Sequence, residues 1–444
     1  MSRLRAVSKV VVQVPGKALT VVGPLLLFWG LPLPQYAMFE SIFALASLGA
    51  LLLGWGLSAA LPLDYLARSS GQVLSAMRRN FNLTALAVVV GVAGLAAFGE
   101  TAAEVGGRSA AASWSDCVTL FALLCSGLMG QNFVAAILRT RGWIGVAALC
   151  EHSAWLFVVL ACGAWRLFET HVNIGSIVPW AGVNLAITAL MTNGLAAMAL
   201  RNVAPLTGTG RAALRHGTPF VAGQLCSVVA GAVARVVFLA SGQPVASAHS
   251  ALAMRLSAPI TFVYQTLYAA LLKQLFPTQG SEDGPGARRA VAASLMVAAT
   301  ALQVGLAAII TFAHPASFPR APSFLLAIFL ATQLLLFLGI CEVTSFGGAG
   351  TPRHAAYARS MWIGTGLVTA AMAIIAKVID EADLLVACGM GICWMTYGAL
   401  AIRSLRQDAR EESARGGRKI SLGGLYAAGS SLGAAALLIA ARCA

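Results

Sequence analysis

Long apolar segments alternate with short polar connections along the whole chain. Each segment holds about 20 residues, the length of a helix that crosses the hydrocarbon core of a bilayer. Backbone groups in lipid must bond within their own segment, so the pattern predicts helices. The predicted spans are 10–30, 36–61, 81–98, 116–138, 143–163, 176–199, 218–240, 246–272, 290–312, 322–346, 361–379 and 384–402, with a weaker segment at 420–441.

The polar stretch 201–217 separates these spans into two sets of six. The prediction is an all-α integral membrane protein of about 12 transmembrane helices, in two six-helix halves around a central cavity, as in transporters built from repeats. Whether 420–441 adds a thirteenth span stays open. The predicted domains are an N-terminal half, a cytoplasmic linker, a C-terminal half and a basic cytoplasmic segment followed by the weak hydrophobic one: 1–200, 201–217, 218–402 and 403–444.

Composition supports a membrane protein, because 59% of the 444 residues are hydrophobic and only 10% are charged. A soluble domain carries about 25% charged residues. The net charge of +14 could indicate nucleic-acid binding, but Lys and Arg concentrate in alternate connecting segments. That distribution follows the excess of positive charge in cytoplasmic loops, so it predicts a cytoplasmic N-terminus and no nucleic-acid partner.

Charged residues inside the predicted spans are the candidate functional residues, because a charge in hydrocarbon is costly and usually faces a partner or a watery cavity. Arg235 and Arg255 lie in the outer halves of two consecutive spans, and Lys17 lies in the first. A cationic cavity suits an anionic passenger, and the planar fork of arginine suits phosphate. We therefore predict substrate binding by these three residues. Structural pairing with acids, or extension of the side chain to the interface, is the alternative.

Three further residues are candidates for ion or proton coupling. Glu151 and His152 are adjacent in the fifth span, where a carboxylate and an imidazole could pass a proton. The alternative is a polar pair that joins helices. Glu40 lies near the outer end of the second span and could instead pair with Arg255 or Lys377.

Enzyme signatures are not found: the sequence contains no phosphate-binding Walker loop, no nucleophile elbow and no HExxH zinc motif. The nine cysteines show no metal-ligand spacing, so no metal or cofactor is expected. Glu381 and Asp383, in a short predicted outer loop, favour a solvated cap over a metal site. The prediction is a protein that is not an enzyme.

Two stretches resemble the polysaccharide-transporter branch, the Wzx-like flippases, of the multidrug/oligosaccharidyl-lipid/polysaccharide exporter superfamily. The first runs from Leu25 to Leu61, where a helix ends, a short loop meets Tyr36 and an Ala/Leu/Gly helix follows. The second has an Arg before an aliphatic run, a turn, an Ala-x-x-Arg-Leu element and a closing Pro. These elements are Ala234-Arg235, Ala251 to Leu256, and Leu275 to Pro277. Ala234 departs from the family pattern, since an Asp often precedes that Arg.

The resemblance implies a bacterial inner-membrane flippase that translocates a polyprenyl-diphosphate-linked oligosaccharide for surface polysaccharide or exopolysaccharide synthesis. Its implied partners are the lipid-linked oligosaccharide, membrane lipids, and polysaccharide polymerase and export proteins. Three alternatives stay open: a cation-coupled multidrug antiporter of the same superfamily, a membrane-embedded glycosyltransferase or polymerase, and a scaffolding membrane protein. An antiporter for cations should favour acids over arginines in its cavity.

Overall fold

A computed structural model describes residues 12–58, 61, 70–106, 108–167, 173–200, 221, 228–265, 267, 284–313, 321–346, 352–414 and 422–443. These residues form α-helices and turns, with no strand among them. The chain divides into two compact units, Met1–Val228 and Val229–Ala444. The predicted all-α class is therefore confirmed, while the predicted linker 201–217 lies outside the described residues.

The helices of the first unit are α1 (Val14–Gly30), α2 (Leu33–Gly54), α3 (Ser70–Gly106), α4 (Arg108–Thr140), α5 (Ile144–Glu151), α6 (Ser153–Leu167) and α7 (Ile174–Leu200). Helix α4 is central, because α2, α3, α5 and α7 all pack against it. Small and aliphatic residues on α4 and α5, such as Ala135 and Ala147, are fully buried where the helices meet. Such residues let helix backbones approach closely in a membrane protein.

The predicted span 143–163 is not one helix, which corrects the sequence interpretation. Helices α5 and α6 meet at His152 with a bend of 61°. The polar residues Glu151, His152 and Ser153 stand at the break, but the apolar runs on both sides are long enough together to predict one span. The break frees backbone groups that a side chain of a neighbouring helix must satisfy, as described below.

Two other predicted spans are also interrupted, and helical residues follow each interruption, at 57–58 and 61 in one and at 259–265 in the other. Helix α2 was expected to reach residue 61 but ends at Gly54, because Trp55 takes a left-handed conformation with φ of 47°. Helix α9 (Pro244–Ser257) was expected to reach residue 272. It ends earlier, in a tighter turn in which the Ala258 N–H donates to the Arg255 carbonyl at 3.2 Å.

The boundary between the units falls at the first residue of α8 (Val228–Ala240), which is joined to α9 by a turn at 241–243. The second unit continues with α10 (Gly284–Ala313), α11 (Pro322–Phe346), α12 (Pro352–Ile375), α13 (Ala382–Ala414) and α14 (Leu422–Cys443). Helices α11 and α13 form its main packed pair, and α9 packs against both.

The weak segment 420–441 is a helix, α14, which packs against α10 and α11. Gly433 lies so close to α10 that a side-chain carbon there would stand 1.9 Å from Gln303 Oε1. Trp394 of α13 donates its Nε1–H to the Tyr426 hydroxyl at 3.3 Å. The C-terminal helix is therefore part of the second unit's packing.

Six stretches among the described residues are each long and apolar enough to cross a membrane, and the bent pair α5–α6 makes a seventh. Shorter apolar helices accompany them, including Val14–Gly30 and Leu425–Ile439. Large apolar side chains on these helices stay exposed, among them Leu86 and Leu190. An exposed apolar surface of this extent is expected where lipid, rather than water, covers the protein. The chain is a multi-pass membrane protein.

Candidate functional site

Three of the residues predicted from the sequence meet in the first unit. The Lys17 ammonium of α1 lies 3.2 Å from Glu151 Oε2 and 3.1 Å from His152 Nε2. The same carboxylate oxygen accepts a hydrogen bond from Arg139 Nη2 at the end of α4. Lys17 is 4% exposed, whereas Arg139 is 36% exposed. We call these four residues the Glu151 cluster.

Helix α1 reaches the Glu151 cluster because Gly16 precedes Lys17. A side-chain carbon at position 16 would stand 2.6 Å from the Ala148 carbonyl carbon and 2.8 Å from the Leu149 nitrogen of α5. Backbone atoms cannot move aside as a flexible side chain can. Only glycine therefore allows this approach, which brings the Lys17 ammonium to the end of α5.

The bend beside the Glu151 cluster is held by the Gln131 side chain of α4. The Gln131 amide is oriented so that its oxygen and its nitrogen both have hydrogen-bond partners. In that orientation it donates to the Glu151 carbonyl at 3.2 Å and accepts from the Ala154 N–H at 3.0 Å. The Ser153 hydroxyl donates to Asn184 of α7 at 3.2 Å. Neighbouring polar side chains thus replace the backbone bonds that the break removes, and they fix the position of Glu151 and His152.

The charge balance of the Glu151 cluster is positive. One carboxylate faces an ammonium and a guanidinium, and the His152 Nε2 is 3.7 Å from the same carboxylate oxygen. A buried carboxylate with two cationic partners is stabilised as an anion. The cluster therefore joins α1, α4 and α5 by ion pairs and retains one excess positive charge.

Glu40, the third residue predicted for ion or proton coupling, is fully buried on α2. Its neighbours in sequence, Phe39 and Phe43, stack against Trp155 of α6 with ring centroids 6.0 and 4.6 Å apart. These ring contacts join α2 to α6 at the level of Glu40. Its coupling role, and its pairing with Arg255 or Lys377, stay predictions.

The other two predicted binding residues lie on α8 and α9 of the second unit. Arg235 is partly buried, and its Nη2 donates to the Gly231 carbonyl of its own helix at 3.2 Å. The Ser247 hydroxyl of α9 donates to the Arg235 carbonyl at 2.7 Å and ties the two helices together. Arg255, also partly buried, lies in the last turn of α9. The two helices carry these two arginines and no Asp or Glu.

Helix α9 is fixed to the rest of the second unit by polar contacts that the sequence interpretation missed. His249 Nδ1 lies 2.6 Å from Asp383 Oδ1 at the start of α13. The His249 ring also packs edge-on against Phe324 of α11, with centroids 5.3 Å apart. Asp383 is thus more than a solvated cap. The available signal was a histidine within a predicted span and an acid at the beginning of another, but they are 134 residues apart.

Arg139 was missed for a different reason. It lies beside a predicted cytoplasmic turn, where an arginine is common and explains the topology without a further role. Its long side chain reaches Glu151 at the end of α5. Arg139 and Glu151 are twelve residues apart, on the two sides of a helical hairpin. That spacing permits the contact but does not predict it.

No protein-family model and no curated protein matches the chain. Solved structures of MATE family transporters do match, some of them described as multidrug resistance transporters of the MOP superfamily. An outward-facing MATE transporter of the MOP superfamily matches with TM-score 0.54 at 14% identity, covering 93% of this chain and 95% of that one. A MATE structure in a straight conformation gives 0.55 at 17%, with the same coverage.

A MOP superfamily transporter from Pyrococcus furiosus Vc1 (DSM3638) also matches, with TM-score 0.50 and 16% identity over 93% of this chain and 95% of that one. That protein is described as having a binding pocket of reverse polarity that suggests a different function. At these identities the similarity shows the fold. The chain has the fold of MATE transporters, which consists of 12 transmembrane helices in two halves.

Proposed function

We propose that this protein exports an anionic lipid-linked oligosaccharide, carried on a polyprenyl diphosphate, from the cytoplasmic to the outer leaflet. The observation that carries the proposal is the charge of α8 and α9, which hold Arg235 and Arg255 and no acidic residue. Arginine forks bind phosphate oxygens in pairs, so two of them suit a diphosphate. The resemblance of the same stretch to Wzx-like flippases supports this substrate.

The Glu151 cluster supports an anionic passenger as well. Its two cations outnumber its one carboxylate, and Lys17 is part of it. A transporter for organic cations would need carboxylates that are free to meet the passenger. Glu151 instead accepts from Lys17 and Arg139, and Asp383 contacts His249.

The fold is shared with proteins described as multidrug transporters, and this favours the second candidate, a cation-coupled multidrug antiporter. Buried Glu40 would then be the group that binds the coupling ion or proton. The Pyrococcus furiosus protein also has this fold, and the reverse polarity of its binding pocket is described as suggesting a different function. Pocket charge is thus the property on which the two candidates differ.

The test is mass spectrometry of lipid extracts from a host strain that lacks this protein. Accumulation of a polyprenyl-diphosphate-linked glycan, together with loss of a surface polysaccharide, is expected and would identify the passenger. Re-expression of the natural chain should clear the accumulated lipid. An unchanged lipid pool, with increased sensitivity to cationic drugs, would instead support the antiporter.

A further inference from the structure

A polar patch interrupts the exposed apolar surface of the first unit where α3 packs against α7. It consists of Arg78 and Asn82 on α3 and Asn193 on α7. The two amides are joined in both directions: Asn82 Nδ2 donates to Asn193 Oδ1 at 3.1 Å, and Asn193 Nδ2 donates to Asn82 Oδ1 at 2.9 Å. We call these three residues the Arg78 patch.

The amide pair orients the arginine. Arg78 Nε donates to Asn193 Oδ1 at 3.1 Å, and Asn193 is itself fixed to the Ala189 carbonyl of its own helix at 3.1 Å. Nε is the one nitrogen of this guanidinium with a hydrogen-bond partner among the residues that the structure describes. The two terminal nitrogens are therefore available as a fork of donors for an external acceptor.

An apolar stripe begins at the Arg78 patch on each helix. On α3, Arg78 and Asn82 are followed at helical spacing by Leu86 and Val90, both more than half exposed. On α7, Asn193 is followed in the reverse chain direction by Leu190, which is 76% exposed, and then by Ile187 and Val183. Residues three or four apart share a helix face, so each stripe is continuous.

The stripes have the length of an acyl chain in one leaflet. Asn82 to Val90 spans roughly 12 Å, and Asn193 to Val183 roughly 15 Å, at 1.5 Å per residue. Half of a bilayer's hydrocarbon core measures about 15 Å. Since α3 and α7 pass the patch in opposite chain directions, both stripes extend from it toward the same side.

We propose that the Arg78 patch binds the headgroup of an anionic phospholipid whose acyl chains lie along the two stripes. The guanidinium fork fits a phosphate, and exposed Arg79 beside it adds a second positive charge. A soluble anion would gain nothing from the apolar stripes, whereas a phospholipid matches both parts. On the predicted orientation, the lipid belongs to the cytoplasmic leaflet. The inference does not depend on the proposed export function.

The experiment is native mass spectrometry of the purified full chain, titrated with phosphatidylglycerol or phosphatidylcholine. Tighter binding of phosphatidylglycerol is expected. Arg78→Gln should weaken phosphatidylglycerol binding about fivefold, since an arginine near anionic headgroups contributes about 1 kcal/mol. Arg78→Lys should keep part of the affinity, because it keeps the charge and loses the fork. Asn193→Ala should give an intermediate loss through misplacement of Arg78.

The matched control is Arg141→Gln, which removes an exposed arginine from the turn after α4 and should leave phosphatidylglycerol binding unchanged. Equal phosphatidylglycerol affinity of Arg78→Gln and the natural chain would overturn the proposal, provided that both elute as one species. So would equal affinity of the natural chain for the two phospholipids. Binding of undecaprenyl diphosphate that Arg78→Gln abolishes, with no binding of phosphatidylglycerol, would also overturn the proposal and reassign the patch to a substrate.

Discussion

The two units hold their intramembrane cations in different ways. In the first, Lys17 is an ion-pair partner of Glu151, which Arg139 also contacts, so three helices meet at one carboxylate. In the second, Arg235 and Arg255 lie on a helical hairpin without acids, and Arg235 donates to a neutral backbone carbonyl. On the proposed function, Arg235 and Arg255 would meet the passenger, whereas the charges of the first unit also join helices through Glu151. Substitutions should therefore affect stability in one unit and export in the other.

The largest expected effect is on export, from Arg235→Gln and Arg255→Gln. Each arginine that contacts a diphosphate contributes about 1.5–3 kcal/mol through charged hydrogen bonds, so each change should lower export about 10- to 100-fold. The measurement is the level of accumulated lipid-linked glycan in a deletion strain that expresses each variant.

Lys377→Gln is the control for this pair, because Lys377 is an exposed cation of the same unit. It should restore full export. If Arg235→Gln and Arg255→Gln also restore full export at normal protein levels, the division of roles between the units is wrong.

Glu151→Gln should have the largest effect on stability. It leaves the almost fully buried Lys17 ammonium without its carboxylate, and removing one partner of a buried ion pair costs about 3–5 kcal/mol. Thermal unfolding in detergent should show a much lower midpoint. Glu381→Gln, an exposed acid of the second unit, should leave it unchanged.

A second change distinguishes an ion pair from a local packing defect. Lys17→Met combined with Glu151→Gln removes both charges and should recover part of the lost stability, since no uncompensated cation of α1 remains. If the double variant is as unstable as the sum of the two single ones, Lys17 and Glu151 act independently.

The comparison between the units also shows what the sequence could predict. Hydropathy located the helices and both sets of charges, because the cost of exposing backbone and charge to lipid acts on each segment separately. It did not show the bend at His152, which depends on the Gln131 side chain of another helix. It also did not pair Lys17 with Glu151 or His249 with Asp383, since partners 134 residues apart meet only through tertiary packing.

Gly16→Ala should disturb the first unit more modestly. The new carbon would collide with the α5 backbone near Ala148, and forced overpacking costs about 1–3 kcal/mol. Gly182→Ala is the matched control, because a side-chain carbon there meets open space and should stabilise α7 by about 0.5–1 kcal/mol. Opposite shifts of the thermal midpoint are expected; a neutral Gly16→Ala would mean that α1 can shift away from α5 at no cost.

The smallest expected effect concerns the polar attachment of α9. His249→Gln should weaken the contact with Asp383 and lower stability by about 0.5–1.5 kcal/mol, the net contribution of one hydrogen bond. Because α9 carries Arg255 eleven residues beyond its first residue, a loosened α9 should also reduce export slightly. Asp380→Asn, which changes an exposed acid just before α13, controls for loss of charge in that segment. If His249→Gln abolishes export while the thermal midpoint is unchanged, His249 acts in transport itself. Transport by the second unit would then depend on a titratable histidine of α9 as well as on its arginines.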